Sequence, residues 1–165
     1  AIVGNGGQVV VMGNGERWLE DAFRHFEQTF PGQVAVRIGY DEDRAHRVFA
    51  GSDVVMVPSR YEPCGLVQMY GSLYGTLPLV HRVGGLADTV VDCSLENLAE
   101  NRATGFCFEH FDYPSFESAV HRAFALFGKQ TDWKKVQKRG MKLSFGWENS
   151  AERYAQLYRL IRVVA

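Results

Sequence analysis

The sequence predicts a doubly wound α/β domain, in which a Rossmann-like parallel sheet of about five strands carries helices on both faces. Two observations predict it. Short runs rich in Val, Ile, Leu and Phe recur along the chain and have the length of buried strands. Segments with the 3.6-residue period of amphipathic helices separate these runs, and such alternation favours a parallel sheet. The predicted strands are residues 9–12, 34–38, 54–57, 77–80 and 106–108.

The predicted helices follow from apolar stripes. One stripe extends from Trp18 to Phe30 and another from Phe116 to Phe127. The last helix is predicted to begin near Trp147, and we expect its apolar side to pack in the core. The residues on that side are Ala151, Tyr154, Tyr158 and Ile161. The polar segment 92–104 is predicted to be a surface loop.

Composition and charge exclude several classes of protein. The chain has 165 residues, 46% of them hydrophobic, which suits the core of one domain. Its net charge of −1 predicts no nucleic-acid partner, and the cationic residues 134–139 recur at helical spacing, as on a solvated helix face. Three cysteines without a C-x-x-C pair favour neither a disulfide framework nor a zinc site. These cysteines suit the reducing cytoplasm. We expect no membrane contact, because no long apolar span and no signal segment is visible.

A glycine turn after the first predicted strand invites a dinucleotide-binding interpretation. Gly13 and Gly15 match the first two glycines of the G-x-G-x-x-G fingerprint, but Trp18 occupies the third position. Its bulk is incompatible with the close helix packing that the third glycine allows. The sequence therefore favours a tight strand-to-helix turn, with Glu16 near the helix N-terminus.

Two spaced motifs carry the strongest chemical signal. Residues 58–66 read PSRYEPCGL and follow a predicted strand, and residues 84–90 read GGLADTV and follow the next one. The carboxyl ends of parallel strands form the ligand-binding edge of an open α/β sheet. Gly65 opens a predicted helix whose first N–H groups suit an anion, and Glu62 lies beside it as an acceptor for hydroxyl groups. Alternatively, Glu62 only stabilises the helix start. Asp88 and Thr89 are predicted to begin a further helix.

These motifs resemble those of the glycogen and starch synthases. The matching segments are residues 11–16, 37–40, 58–66, 75–80, 84–90 and 92–98. Many related retaining glucosyltransferases have a second glutamate eight positions after the first, where this chain has Tyr70. Its absence favours the glycogen and starch synthase branch. The resemblance implies a two-domain GT-B enzyme that transfers glucose from ADP-glucose to an α-1,4-glucan with retention.

The resemblance also implies roles for individual residues. The catalytic glutamate that accepts hydrogen bonds from the donor glucose corresponds to Glu62, and the tyrosine that stacks on adenine corresponds to Tyr40. From sequence alone, Tyr40 could equally be a half-buried core residue. No cofactor and no metal are implied. Backbone at four consecutive positions would hold the glucose and the pyrophosphate: Cys64, Gly65, Leu66 and Val67.

The resemblance identifies residues 1–165 as an incomplete C-terminal, donor-nucleotide-binding domain. It begins just before the family's second strand, so we expect a gap at the centre of the sheet. The strands that border the gap would pair with each other, self-associate through another chain, or leave open edges. We expect the chain alone to be inactive and to bind ADP no more tightly than about millimolar. The alternative is a non-catalytic module of the same fold that binds a nucleotide sugar or glucan.

Overall fold

The computed structural model describes residues 1–163 and has mixed α/β architecture. A short 3₁₀ turn at Val3–Asn5 precedes the first strand. The strands are β1 (Val9–Gly13), β2 (Val34–Ile38), β3 (Val54–Val57), β4 (Leu77–His81) and β5 (Phe106–Phe108). The helices are α1 (Arg17–Thr29), α2 (Glu42–Gly51), α3 (Val67–Tyr74), α4 (Gly84–Thr89), α5 (Leu95–Ala99), α6 (Tyr113–Phe127), α7 (Gln130–Gly140) and α8 (Trp147–Val163). All five predicted strands are confirmed, with β1 and β4 each one residue longer than predicted.

The strands form two parallel sheets. Strand β1 pairs with β2, from Val9 opposite Val34 to Gly13 opposite Ile38. Strand β4 lies between β3 and β5 in the second sheet and pairs with both. Parallel pairing with intervening helices is the predicted doubly wound class.

The two sheets fit one Rossmann order with its central position empty. In the order 3-2-1-4-5-6, strands β2 and β1 take positions 3 and 2, and β3, β4 and β5 take positions 4 to 6. Within residues 1–163, β1 and β3 are not paired with each other. Of the three expected outcomes, the direct pairing of β1 with β3 therefore does not occur among the described residues, and the gap itself stays a prediction.

The core surrounds β4, all five residues of which are buried. Trp133 of α7 is 2% exposed, and its ring stacks on Phe106 at 6.1 Å between centroids. The ring of Phe127 meets the same tryptophan edge-on at 5.1 Å. Helix α6 covers this sheet with four buried residues, Ala119, Val120, Ala123 and Leu126. The predicted stripe from Phe116 to Phe127 is thereby confirmed for its central residues.

Helix α1 is less well packed than its stripe predicts. It contacts β2, yet none of its residues is fully buried, and Trp18 and Phe26 are 65% and 48% exposed. The physical reason is the width of the supporting surface, because a sheet of two strands covers only part of an apolar stripe.

Helix α8 begins at Trp147, as predicted, but the prediction that its apolar side packs in the core is wrong. Tyr154, Tyr158 and Ile161 are each more than half exposed, and Ala151 is exposed as well. An amphipathic stripe requires an apolar partner but does not specify where that partner lies. Among the helices of residues 1–163, none is long and apolar enough to cross a membrane.

The segment 92–104 is more ordered than a surface loop. It contains α5, which Ser94 caps by accepting a hydrogen bond from the backbone N–H of Asn97 at 3.1 Å. Asp92 accepts two bonds from Nη1 of Arg122 at 2.8 Å and one from the backbone N–H of Cys107 at 2.7 Å. A polar composition does not by itself indicate a surface loop here, because the polar groups of this segment form hydrogen bonds that anchor it.

Candidate functional site

The candidate site is the loop of residues 58–66, which connects β3 to α3 at the carboxyl edge of the sheet. This is the edge predicted from the strand order. Gly65 has φ +75°, a left-handed conformation that favours glycine. Among the described residues, no side chain forms a capping bond at the N-terminus of α3, whose N-cap residue is Leu66. The N–H groups of the first helical turn are thus presented at this edge without a side-chain cap.

The buried side chain of Gln68 holds the loop through hydrogen bonds to its backbone. It is 1% exposed, and its Nε2 lies 3.2 Å from the carbonyl oxygen of Cys64 and 2.9 Å from that of Gly65. The same nitrogen lies 3.1 Å from Oγ1 of Thr89, which itself donates to the carbonyl oxygen of Gly85 at 2.6 Å. A Cβ on Gly65 would lie 2.5 Å from Oε1 of Gln68, so a larger residue there would displace the Gln68 amide, in addition to the strain at positive φ.

Helix α4 packs its first residues directly against the loop backbone. The N–H of Gly85 donates to the carbonyl oxygen of Glu62 at 3.0 Å. A Cβ on Gly84 would collide with that same oxygen, and one on Gly85 with the carbonyl oxygen of Cys64. The predicted proximity of the second glycine motif is confirmed. The predicted helix start at Asp88 is wrong, because α4 already begins at Gly84 and the apposed backbones require glycine there.

Glu62 is half-buried, and its carboxylate does not cap α3. Its Oε2 accepts a hydrogen bond from the Ser59 hydroxyl at 3.2 Å. The alternative role, stabilisation of the helix start through its dipole without a capping bond, stays a prediction. An ionised carboxylate accepts several hydrogen bonds, so this group retains capacity for hydroxyl donors of a ligand.

The other predicted site residues surround this edge. Tyr40 follows β2 and is 80% exposed, so its alternative role as a half-buried core residue is wrong. Cys64 is exposed, and Leu66 and Val67 are 58% and 41% exposed. Gly65 is buried. Cys64, Gly65, Leu66 and Val67 thus lie together at the start of α3, whereas Tyr40 lies at the end of the other sheet.

Aromatic and cationic groups border the loop on the side of β5. The Cζ atom of Arg60 lies 5.0 Å from the centroid of the Phe111 ring, within cation–π range. Arg82 donates to Oε1 of Glu109 at 3.0 Å, and this bond raises the pKa of the guanidinium above its ordinary value. Arg82 therefore stays charged. No group of His, Cys, Asp and Glu among residues 1–163 is arranged to hold a metal ion.

Sequence reasoning missed three residues that shape the site. Ser59 contacts Glu62, Gln68 holds the loop, and His81 donates from Nδ1 to the carbonyl oxygen of Ser59 at 2.8 Å. Gln68 and Ser59 offered local signals, because Gln68 stands four residues after Cys64 and Ser59 three residues before Glu62. The bond between His81 and Ser59 depends on the register of β3 against β4, which residue spacing does not reveal.

Fold and edge together have the form of a GT-B glycosyltransferase. The catalytic domain of starch synthase IV from Arabidopsis thaliana, solved bound to ADP and acarbose, superposes with a TM-score of 0.83 at 33% identity. The match covers 95% of this chain and 33% of that one. Sucrose-phosphate synthase from Thermosynechococcus elongatus gives a TM-score of 0.63 at 26% identity, over 96% of this chain and 39% of that one.

Similarity in sequence points to one group of enzymes within this fold. Glycogen synthase of Francisella tularensis subsp. novicida is 57% identical over 158 residues, which cover 96% of this chain and 32% of the relative. Glycogen synthase of subsp. tularensis strain SCHU S4 is 56% identical over the same length. No family model matches the chain. Almost the whole chain is thus homologous to glycogen synthases, and it spans about one third of the length of these relatives.

Proposed function

We propose that the polypeptide carrying this chain transfers glucose from ADP-glucose to the non-reducing end of an α-1,4-glucan, with retention at the anomeric carbon. Residues 1–165 form the part of its C-terminal domain that binds the donor nucleotide sugar. The remaining two thirds of the relatives' length would supply the acceptor surface and the cations for the departing phosphates. This division of labour is the reason to expect no transfer by the chain alone.

The observation that carries the proposal is a half-buried carboxylate, that of Glu62, on the loop that leads from β3 into the uncapped start of α3. A hydroxyl-rich sugar needs a fixed acceptor, and the half-buried Glu62, oriented by Ser59, is one. A diphosphate needs backbone N–H groups and a positive helix end, which the turn through Leu66 and Val67 offers. The exposed ring of Tyr40, at the end of β2, suits stacking on a base.

The mechanism assigned to these residues is positioning and electrostatic stabilisation. Glu62 would accept hydrogen bonds from the donor glucose while the bond from the anomeric carbon to the diphosphate breaks. Backbone N–H groups at Gly65, Leu66 and Val67 would stabilise the negative charge that accumulates on the departing phosphate. The buried amide of Gln68 keeps this turn in place, so the site needs little rearrangement during reaction. No step requires a metal ligand from this chain.

The test is a transfer assay with the complete polypeptide, which compares ADP-glucose with UDP-glucose as donor and glycogen as acceptor. Glu62→Gln keeps the size of the side chain and removes its charge. We expect the rate to fall about 10- to 100-fold, because a hydrogen bond to a charged group contributes about 1.5–3 kcal/mol. Glu96→Gln in α5 is the matched control, because Glu96 is exposed and lies outside the loop.

Three outcomes are informative. Preferred use of ADP-glucose with loss in Glu62→Gln alone supports the proposal, and transfer from UDP-glucose alone contradicts its donor. Binding of ADP or glucan by the complete polypeptide without any transfer indicates the non-catalytic module instead. In a separate experiment, calorimetry on residues 1–165 alone is expected to show ADP affinity no tighter than about millimolar. Micromolar affinity would contradict the expectation that the rest of the polypeptide supplies part of the ADP site.

A further inference from the structure

His81 is a buried histidine at the functional edge that the proposed function does not use. It is the last residue of β4 and is 6% exposed. Its ring stacks on Phe108 with centroids 5.2 Å apart and meets Phe111 edge-on at 5.3 Å. A ring held between two aromatic side chains has a fixed orientation.

The side-chain bond of His81 lies just beyond the end of the hydrogen-bonded ladder between β3 and β4. The last pair in that ladder is Val57 opposite Val80. The next residue of the loop is Pro58, which has no N–H and cannot extend the ladder. Nδ1 of His81 lies 2.8 Å from the carbonyl oxygen of Ser59. Because a carbonyl oxygen only accepts, Nδ1 carries the proton in this contact.

The same loop residue orients the proposed catalytic carboxylate. The Ser59 backbone is held by His81, and the Ser59 hydroxyl donates to Oε2 of Glu62 at 3.2 Å. Three residues further along the same loop, the Glu62 backbone is bonded to α4, because its carbonyl oxygen accepts from the N–H of Gly85. The carboxylate therefore has two supports, one through Gly85 to α4 and one through Ser59 to the buried imidazole.

We propose that His81 is a positioning residue for Glu62, which acts through Ser59 by donating from Nδ1 to the Ser59 carbonyl oxygen. This inference rests on the proposed function, since it assigns His81 to the use of Glu62 with the donor sugar. Without the bond, Ser59 can leave its place and the Glu62 carboxylate samples other orientations. Misplacement of a positioning group by about 1 Å is costly mainly to the chemical step. A purely structural role would change stability and leave kcat unchanged.

The test uses three variants that separate the two ring nitrogens. In His81→Asn the amide nitrogen stands near the Nδ1 position, in His81→Gln it reaches the Nε2 position, and His81→Leu has no donor. In the complete polypeptide we expect kcat of the Gln and Leu variants to fall about 10- to 100-fold with little change in KM for glucan. His81→Asn should recover kcat to within about threefold of the original. His121→Leu is the control, because His121 is an exposed histidine on α6.

A second readout does not depend on activity. The Gly85 amide is bonded to the Glu62 carbonyl oxygen, so its hydrogen exchange reports whether the loop stays on α4. We expect exchange at Gly85 to accelerate roughly tenfold in His81→Leu and not in His81→Asn, while amides of α7 stay unchanged. If His81→Leu does not fold, His81→Gln takes its place in both comparisons.

The outcomes separate this inference from the proposed function. Unchanged kcat in both donor-lacking variants, or equal losses in the Asn and Leu variants, overturns the role of His81. If the original polypeptide transfers no glucose, the proposed function fails. Hydrogen exchange at the Gly85 amide then tests the role of His81 by itself. Accelerated exchange in His81→Leu alone supports positioning of the loop by His81, and unchanged exchange overturns it.

Discussion

The two sheets of this molecule differ sharply in how well they are packed. In the first 56 residues Val34 is the one fully buried residue, and neither α1 nor α2 contains any. Around β3, β4 and β5, by contrast, one cluster of buried residues extends from Leu77 to Val136. The free energy of burial is roughly proportional to the apolar area removed from water. Most of the stability therefore resides in the second sheet and its helices.

The difference follows from the number of strands and helices that cover each sheet. Strand β4 has a neighbour on both sides and helices on its faces, so its residues are completely covered. Strand β1 has β2 on one side only, and Val10 remains 54% exposed. The candidate loop extends from the well-packed sheet, whereas Tyr40 stands on the weaker one. The proposed site thus combines a rigid sugar-binding part with a less strongly supported base-binding part.

Two tryptophans provide the largest expected contrast between these halves. Trp133→Ala removes a buried ring that packs on Phe106 and Phe127, and we expect the free energy of unfolding to fall by about 3–5 kcal/mol. Trp18→Ala on α1 removes a ring that is 65% exposed and should cost about 0.5 kcal/mol or less. Chemical denaturation of both variants measures the difference. Similar losses in the two would show that the halves are equally well packed.

The strands could be predicted from sequence because buried strands of a parallel sheet are continuous apolar runs. Residues 34–38, 54–57 and 106–108 match β2, β3 and β5 residue for residue. Helix α1 was found, but the exposure of Trp18 was not, since an apolar stripe does not report the width of the sheet beneath it. The same limit explains the exposed stripe of α8, whose spacing requires a partner that the described residues do not provide.

The candidate site was predictable in its backbone and only partly in its side chains. The run PSRYEPCGL after a strand located Glu62 and the start of α3, because an edge loop with glycine is typical of ligand binding in such sheets. The orientation of Glu62 was not predictable. It depends on Ser59 and on His81, which stand 22 residues apart and meet only through the pairing of β3 with β4. Long-range bonds of this kind leave no periodic pattern in a sequence.

The reactivity of the three cysteines compares solvent access to the core of the packed half with access to its exposed loop. Burial, followed by the nearby charge of Asp92, raises the pKa of both Cys93 and Cys107 to about 12. Cys64 is exposed on the loop. We expect iodoacetamide to alkylate Cys64 at least about a hundredfold faster than the two buried thiols near pH 8, because the thiolate is the reactive form. Mass spectrometry of digests measures each site, and equal rates would contradict the closed core.

The same thiols give a pH dependence with a definite sign. A pKa raised by folding means that the folded chain holds its thiol protons more tightly than the unfolded chain does. The stabilisation is fully present below the ordinary thiol pKa of 9, and it declines as the pH rises towards 12. Cys93→Ala and Cys107→Ala should each weaken this alkaline decline, which chemical denaturation at a series of pH values between about 8 and 11 measures.

Two matched helix caps provide the smallest and most local contrast. Asp41 caps α2 by accepting from the N–H of Arg44 at 3.0 Å, and Asp112 caps α6 by accepting from the N–H of Ser115 at 2.8 Å. Replacing either aspartate by alanine should cost about 1 kcal/mol. The two losses should nevertheless appear in different places, because α6 covers the packed sheet and α2 does not. In Asp112→Ala, amides of β4 should exchange about fivefold faster, as expected when the global stability falls by this amount.

In Asp41→Ala, faster exchange should be confined to α2 and its surroundings, while the amides of β4 keep their original rates. This outcome is expected because α2 has no buried residue and contacts mainly α3 rather than the sheet, so it can open while β4 stays closed. A local opening exposes only its own amides. Native-state hydrogen exchange followed by NMR resolves the two patterns. If both variants accelerate β4 equally, α2 opens only together with the packed sheet, and the difference in burial between α2 and α6 does not produce a difference in local stability.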